Sequence, residues 1–169
     1  MDGVRIRSAT VDDADMLAVV QTRTSQQAYR GVMPDHHLAR LDPARRSRVW
    51  RQLIESDVFP AGTLVLEHES DGVAGFINVA AHPDGVGEVR AVYVLPEHWG
   101  SGAGRLLMAA GLQRLADAGY REVVLWVLEA NERARRFYQA GGWFADGATK
   151  TDDSRGTPLV AVRYRYRQP

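Results

Sequence analysis

Hydrophobic and polar positions alternate at the start of the chain. Val4 and Ile6 are apolar while Arg5 and Arg7 are basic, which predicts a short strand over Val4–Ser8 with one buried face. Thr10 stands three residues before Asp13, the spacing of a capping box, and predicts a helix over 11–29 that Gly31 and Pro34 end. A second helical period follows Pro43 over 44–55, carried by Val49, Trp50, Leu53 and Ile54. The period then shortens. Residues 63–69 and 73–80 read as strands around the turn signal Ser70-Asp71-Gly72, an antiparallel hairpin. After a turn at 83–85, residues 88–94 form another strand, followed by Pro96 and a glycine-rich loop. A helix over 104–118 presents Met108, Leu112 and Leu115 to the core and closes at Gly119. Residues 122–127 are apolar and predict a central strand. A short helix over 131–140 starts on Asn131 as N-cap, and strands over 143–146 and 159–166 close the sheet.

The order is β-α-α-β-β-β-α-β-α-β-β, without repeats, low-complexity stretches or a linker long enough to divide it. The expectation is one domain over residues 1–169, built on a mixed α/β (α+β) sheet with helices on its faces. A chain of this length, near the roughly 150 residues of a typical domain, buries a core without a metal or disulfide.

Charge and composition narrow the chemistry. Lys plus Arg and Asp plus Glu both number 21, so net charge draws the molecule to neither nucleic acid nor an anionic membrane. Cysteine is absent, which excludes disulfides, thiolate nucleophiles and cysteine-ligated metal centres. The polar start of the chain lacks the apolar core of a signal peptide, and no apolar run reaches the roughly 20 residues of a membrane span. A cytoplasmic location is expected.

The informative stretch is His98-Trp99-Gly100-Ser101-Gly102-Ala103-Gly104-Arg105. It follows a strand and opens a helix. Glycines let several backbone N–H groups converge, and the first helical turn adds free donors and the positive end of the helix dipole. Such a site suits a phosphate or pyrophosphate, with Arg105 beside it. A P-loop would need Gly-Lys-Ser/Thr where this chain has Gly104-Arg105-Leu106. A dinucleotide fingerprint would need a different glycine spacing and a preceding βαβ order. A Ser-His-Asp hydrolase would need a Gly-x-Ser-x-Gly elbow, which residues 99–102 do not supply.

Across 88–142, the strand EVRAVYV, the loop and helix LPEHWGSGAGRLLM, and the helix NERARRFYQAGGW together resemble the GNAT superfamily of acyl-CoA-dependent N-acetyltransferases. The element order over nearly all of the chain agrees. The resemblance implies a mostly antiparallel sheet of six to seven strands flanked by helices on both faces. It also implies acetyl-CoA as co-substrate and no metal. The family's pyrophosphate loop is Gln/Arg-x-x-Gly-x-Gly/Ala; Trp99 replaces its first residue, while Gly102 and Gly104 match the glycines. The cofactor contacts so implied are Trp99, Gly100, Ser101, Gly102, Ala103, Gly104, Arg105 and Asn131. Backbone groups of Val92, Tyr93 and Val94 are added, because the family's strand before the loop splays from the next one.

Direct attack of an amine on a thioester needs a neutral amine and a protonated leaving thiolate. A lysine-like amine of pKa about 10.4 is mostly charged at neutral pH, which costs roughly 4–5 kcal/mol without a base. The resemblance makes Tyr138 the proton donor to the sulfur and Glu88 the general base, directly or through water. Read by their own positions, Tyr138 is equally a core tyrosine and Glu88 a strand-start carboxylate that pairs with Arg90. Strand alternation places Glu88, Arg90, Val92 and Val94 on one face. His36 and His37 fall in a polar connector, and no histidine set has metal-ligand spacing. Arg133, Arg135 and Arg136 read as a solvated helix face, one of them a contact for the cofactor's 3′-phosphate, and Arg163, Arg165 and Arg167 as an exposed strand face. The acceptor pocket implied by the resemblance lies in 29–37 and 146–158, with Tyr29, Met33, His36, Asp152 and Asp153. The expected reaction is transfer of acetyl to a primary amine, a small molecule or peptide, in a ternary complex. The alternatives are a non-catalytic acyl-CoA-binding or sensing module, or a nucleotide-binding protein using the same loop for ATP. No nucleic-acid or membrane partner is expected, and a homodimer is left open.

Overall fold

The computed structural model describes residues 3–153 and 157–169. Its elements are β1 (Val4–Ser8), α1 (Ala14–Ala28), α2 (Asp35–Ala39), α3 (Pro43–Ser56), β2 (Gly62–His68), β3 (Gly72–Ala81), β4 (Gly87–Val94), α4 (Ala103–Asp117), β5 (Glu122–Leu128), α5 (Glu132–Ala140), β6 (Phe144–Asp152) and β7 (Leu159–Arg167). The strands form a seven-stranded sheet in the order β1-β2-β3-β4-β5-β7-β6. Short turns make β1 to β4 antiparallel neighbours, and β5-β7-β6 is antiparallel as well. β4 and β5 run parallel because α4 carries the chain back across the sheet between them.

β3 is buried on both faces along eight consecutive residues, as a central strand between two helical layers must be. On one face Leu66, Ile77, Val79 and Leu125 pack against Leu107 and Leu115 of α4 and Tyr138 of α5. On the other, Val65, Val73 and Phe76 meet Leu17 and Val20 of α1 and Trp50 of α3. A smaller cluster of Met33, Leu38, Leu128 and Ala161 seats α2 against β5 and β7.

Four elements depart from the sequence reading. The helix expected over 11–29 begins with a 3-10 turn at Val11–Asp13 before α1. There the Asp13 carboxylate accepts from the Thr10 backbone N–H at 2.7 Å and from the Arg7 guanidinium at 2.8 and 2.9 Å. The connector holding His36 and His37 contains α2, whose five residues are too few to display a period. β6 runs on to Asp152, well past 146, since its mostly exposed edge position requires no apolar alternation. β4 contains a bulge opposite Asn78 and Val79 that leaves Arg90 unpaired and reverses the alternation at that point. Val89, Val92 and Val94 therefore face α4, while Ala91 and Tyr93 face α1. The single face expected for Glu88, Arg90, Val92 and Val94 does not exist. Arg90 binds Asp57 at 2.9 and 3.0 Å and the side-chain oxygen of Asn78; Glu88 is not its partner.

Candidate active site

β4 and β5 share only the pairs Gly87–Val123 and Glu88–Val124. Beyond Glu88 the strands diverge. One edge of β4 stays bound to β3 while the other opens to a gap. A buried strand edge is unfavourable unless its N–H and C=O groups find partners, so the gap is a place for a ligand with amide groups of its own. A cavity of about 750 Å³ occupies it, walled by residues 89–94 on one side and 125–128 on the other.

The glycine loop closes one end. Gly100 and Gly102 have φ of +76° and +95°, a backbone region that side-chain-bearing residues rarely adopt. Gly102 is the N-cap of α4. The Ala103 N–H donates to Ser101 Oγ at 3.3 Å, and the Leu106 N–H reaches Gly102 O at 3.1 Å. The first-turn N–H groups of Gly104 and Arg105 lie ahead of any intrahelical acceptor and face the cavity end. At Gly104 an added Cβ would stand 3.2 Å from the Phe137 ring, so the ring would have to shift by a few tenths of an ångström to admit a side chain.

Trp99 does not act as the glutamine or arginine it replaces. Its indole N–H donates to Val94 O at 2.8 Å, and the Thr24 hydroxyl donates to the same carbonyl at 3.1 Å. The Val94 carbonyl is thus already bound within the protein. The other face of Trp99 carries the Arg133 guanidinium, 4.1 Å from the ring centre.

Tyr138 lines the middle of the cavity and is 8% exposed. Phe137, Trp143 and Tyr164 pack around its ring at centroid distances of 5.5, 6.0 and 6.1 Å. Burial pushes its phenol well above the ordinary value, with Tyr29 and Tyr93 adding to the shift, so the group keeps its proton across neutral pH. Asn131 caps α5, its side-chain oxygen accepting from Ala134 N at 3.2 Å, and also lines the cavity.

Of the residues singled out in the sequence, Val92, Tyr93, Val94, Trp99, Gly100, Ser101, Gly102, Gly104, Arg105, Asn131 and Tyr138 line this one cavity. Ala103 turns into the core at 1% exposure. Glu88 stands outside the lining, at the apex where the strands part. On the acceptor side Tyr29 and Asp152 line the cavity, Met33 is buried in the α2 cluster, and His36 stacks on His37 at 4.3 Å on α2. Part of the 146–158 loop, residues 154–156, lies outside the described residues. Thr24, Trp126 and Lys150 enter the lining without having been singled out; Trp126 alone left a trace, as an aromatic interruption in an aliphatic strand.

The arginine runs are bound as well. Arg135 donates to Tyr164 Oη at 3.1 Å and Glu129 O at 2.9 Å, while Arg133 and Arg136 are exposed, the latter paired loosely with Glu132 at 3.5 Å. Arg163 and Arg165 bind Asp146 at 2.7 and 3.3 Å, and Arg165 and Arg167 bind Glu122 at 2.7 and 3.3 Å. Among the described residues no helix is long and apolar enough to cross a membrane.

The chain is similar to known proteins over most of its length. Residues 26–143 match the model of the Acetyltransferase (GNAT) family. The uncharacterized N-acetyltransferase YuaI of Bacillus subtilis is 30% identical over 141 residues, 81% of this chain and 78% of that protein. A mycothiol acetyltransferase of Saccharopolyspora erythraea is 42% identical over 80 residues, covering 47% of this chain, which spans only 26% of that relative's length. Among solved structures, the PaiA N-acetyltransferase of Thermoplasma acidophilum in complex with coenzyme A superposes with a TM-score of 0.69 at 17% identity, covering 97% of this chain and 98% of that one. The matched share of the chain is large enough to be decisive: it belongs to the acetyltransferase (GNAT) family.

Proposed function

We propose that the chain transfers acetyl from acetyl-CoA to a primary amine by direct attack within a ternary complex. The observation that carries this reading is the parting of β4 and β5 after Glu88, with the glycine loop and Tyr138 in one cavity. The donor set fits the cofactor: free first-turn amides and Arg105 suit a diphosphate, and the open edge of β4 suits the amides of pantetheine. When bound, acetyl-CoA supplies the activated acyl group.

The chain's own groups do the rest. The loop amides of Gly102, Gly104 and Arg105 hold the diphosphate, and Asn131 and Arg133 flank the cofactor beside them. Val92 and Tyr93 offer backbone groups along the gap. Tyr138, protonated at working pH because it is buried, donates to the departing sulfur. Glu88 shares its sheet face with Val124, one position from the start of the gap, and serves as the base through water.

Titration calorimetry with acetyl-CoA tests the reading at its root. Micromolar association is expected; a folded protein that leaves millimolar acetyl-CoA unbound, or that prefers ATP, refutes it. Release of free coenzyme A on adding an amine panel separates a transferase from a binding module, which would bind the cofactor and release none.

A further inference from the structure

Part of the cavity wall is built from side chains of β5 and β6. Lys150 of β6 pairs with Ala161 of β7, which pairs with Leu128 of β5. Residues paired across a sheet share a face, so Lys150 projects beside Leu128 and Trp126. Its ammonium stands 4.4 Å from the centre of the Trp126 ring. Trp126 borders the gap directly, since it belongs to the β5 wall.

The cations of the lining divide by partner. Arg105 and Arg133 stand at the glycine loop, where the cofactor's phosphates are proposed to lie. Arg90 is neutralised by Asp57. Arg163, outside the lining but 5.8 Å from the same Trp126 ring, is neutralised by Asp146. Lys150 differs: among the described residues its charge rests on an aromatic face and on no carboxylate. Lys150 is exposed to solvent while lining the cavity, so its ammonium is accessible to an anionic group of a bound molecule.

We infer that the acceptor is a primary amine bearing a carboxylate, held by Lys150 with its apolar part against Trp126. This rests on the acetyltransferase function proposed above. Among the described residues the other cation at this ring, Arg163, is held by Asp146, and a single ammonium suits a monoanion better than a phosphate. With the carboxylate so anchored, the amine points back across Trp126 to the gap. Its nitrogen lone pair forms the C–N bond to the acetyl carbon as the C–S bond breaks. The nitrogen loses one proton to the base and the sulfur gains one, leaving an N-acetylated amino acid and free coenzyme A.

The experiment compares leucine and phenylalanine with 3-methylbutylamine and 2-phenylethylamine, at equal free-base concentration, by release of coenzyme A. The amino acids are expected to show kcat/KM about tenfold above their decarboxylated partners. Lys150→Met should abolish that preference by raising KM for the amino acids alone, and Lys150→Arg should keep most of it. Equal or better use of the plain amines, or a preference that survives Lys150→Met, overturns the assignment. If acetyl-CoA binds and neither these compounds nor the wider amine panel releases coenzyme A, the transferase reading fails by itself. Calorimetry of the amino acids on the CoA-saturated protein then decides the Lys150 site: binding lost in Lys150→Met supports it, and no binding overturns it.

Discussion

The two ends of the cavity are made of different materials. At the loop end the chain offers backbone: amides of Gly102, Gly104 and Arg105, arranged by two glycines of positive φ and the start of α4. Where the acceptor is proposed to sit it offers side chains from separate elements: Tyr29 just past α1, Trp126 from β5, Lys150 and Asp152 from β6. A backbone site depends on conformation, so few residue types can build it and many side chains around it can change. A side-chain site depends on what tertiary packing brings together, so each residue in it is replaceable and sets specificity. One end can bind a constant cofactor while the other changes acceptor.

Replacing the N-cap of α4 attacks that division most directly. Gly102→Val forces a β-branched residue to φ of +95°, a strain on the order of 2–3 kcal/mol in the loop proposed to hold the diphosphate. Affinity for acetyl-CoA should fall about 100-fold, measured by calorimetry, with circular dichroism unchanged. A variant that binds normally would show that the loop amides do not hold the cofactor.

Tyr138→Phe comes next. The ring and its packing against Phe137, Trp143 and Tyr164 remain, and only the hydroxyl is lost. Maximal turnover should fall about 100-fold with acetyl-CoA affinity unchanged. The sign with pH is definite. The folded-state pKa is raised, so the protonated form, and the stability it lends, persists below the ordinary phenol value near 10 and is lost only as pH rises through the higher folded value. The wild-type rate should therefore climb with pH as the amine deprotonates, with no fall from Tyr138 below about pH 10. An alkaline fall near pH 8 that vanishes in Tyr138→Phe would contradict the burial argument.

Glu88→Gln is expected to have a smaller effect, about tenfold on kcat/KM at neutral pH, shrinking as pH rises and the amine loses its proton unaided. Glu88 stands at the apex of the gap and outside the cavity lining, so the proposed role is one through water, whose loss slows the transfer without disabling it. A rate loss independent of pH would make it a structural carboxylate.

The same contrast explains how far the site could be read from the chain. Gly100 and Gly102 declared themselves because a loop of positive φ into a helix admits little else, and Asn131 because a helix start must satisfy its free amides. Element order was equally legible, since turns and apolar periods are local. The bulge at Arg90 was not, for it is a mismatch between two strands and leaves no mark in either alone. α2 was too short to show a period, and most of β6 is exposed with no pattern to show. Lys150 and Trp126 lie 24 positions apart in the sequence and meet only after β7 has inserted between their strands. No local rule anticipates that pair.

The smallest expected effect is also the sharpest separation of backbone from side chain. Trp99 occupies the position where the resemblance led to a polar side chain, yet its indole N–H is committed to Val94 O at 2.8 Å and its ring to Arg133. Trp99→Phe removes that one bond while keeping an aromatic face for the guanidinium. The Val94 carbonyl retains the Thr24 hydroxyl at 3.1 Å, so no buried acceptor is orphaned. The loss should be about 1 kcal/mol, a fall in Tm of about 2–4 °C for a chain of this size, read by thermal unfolding without ligand. If amides alone grip the diphosphate, acetyl-CoA affinity should change by less than about twofold, well under the 1.4 kcal/mol of a tenfold step. A tenfold loss of affinity with Tm unchanged would reverse the assignment, making the indole a cofactor contact and the loop end, like the acceptor end, a site of side chains.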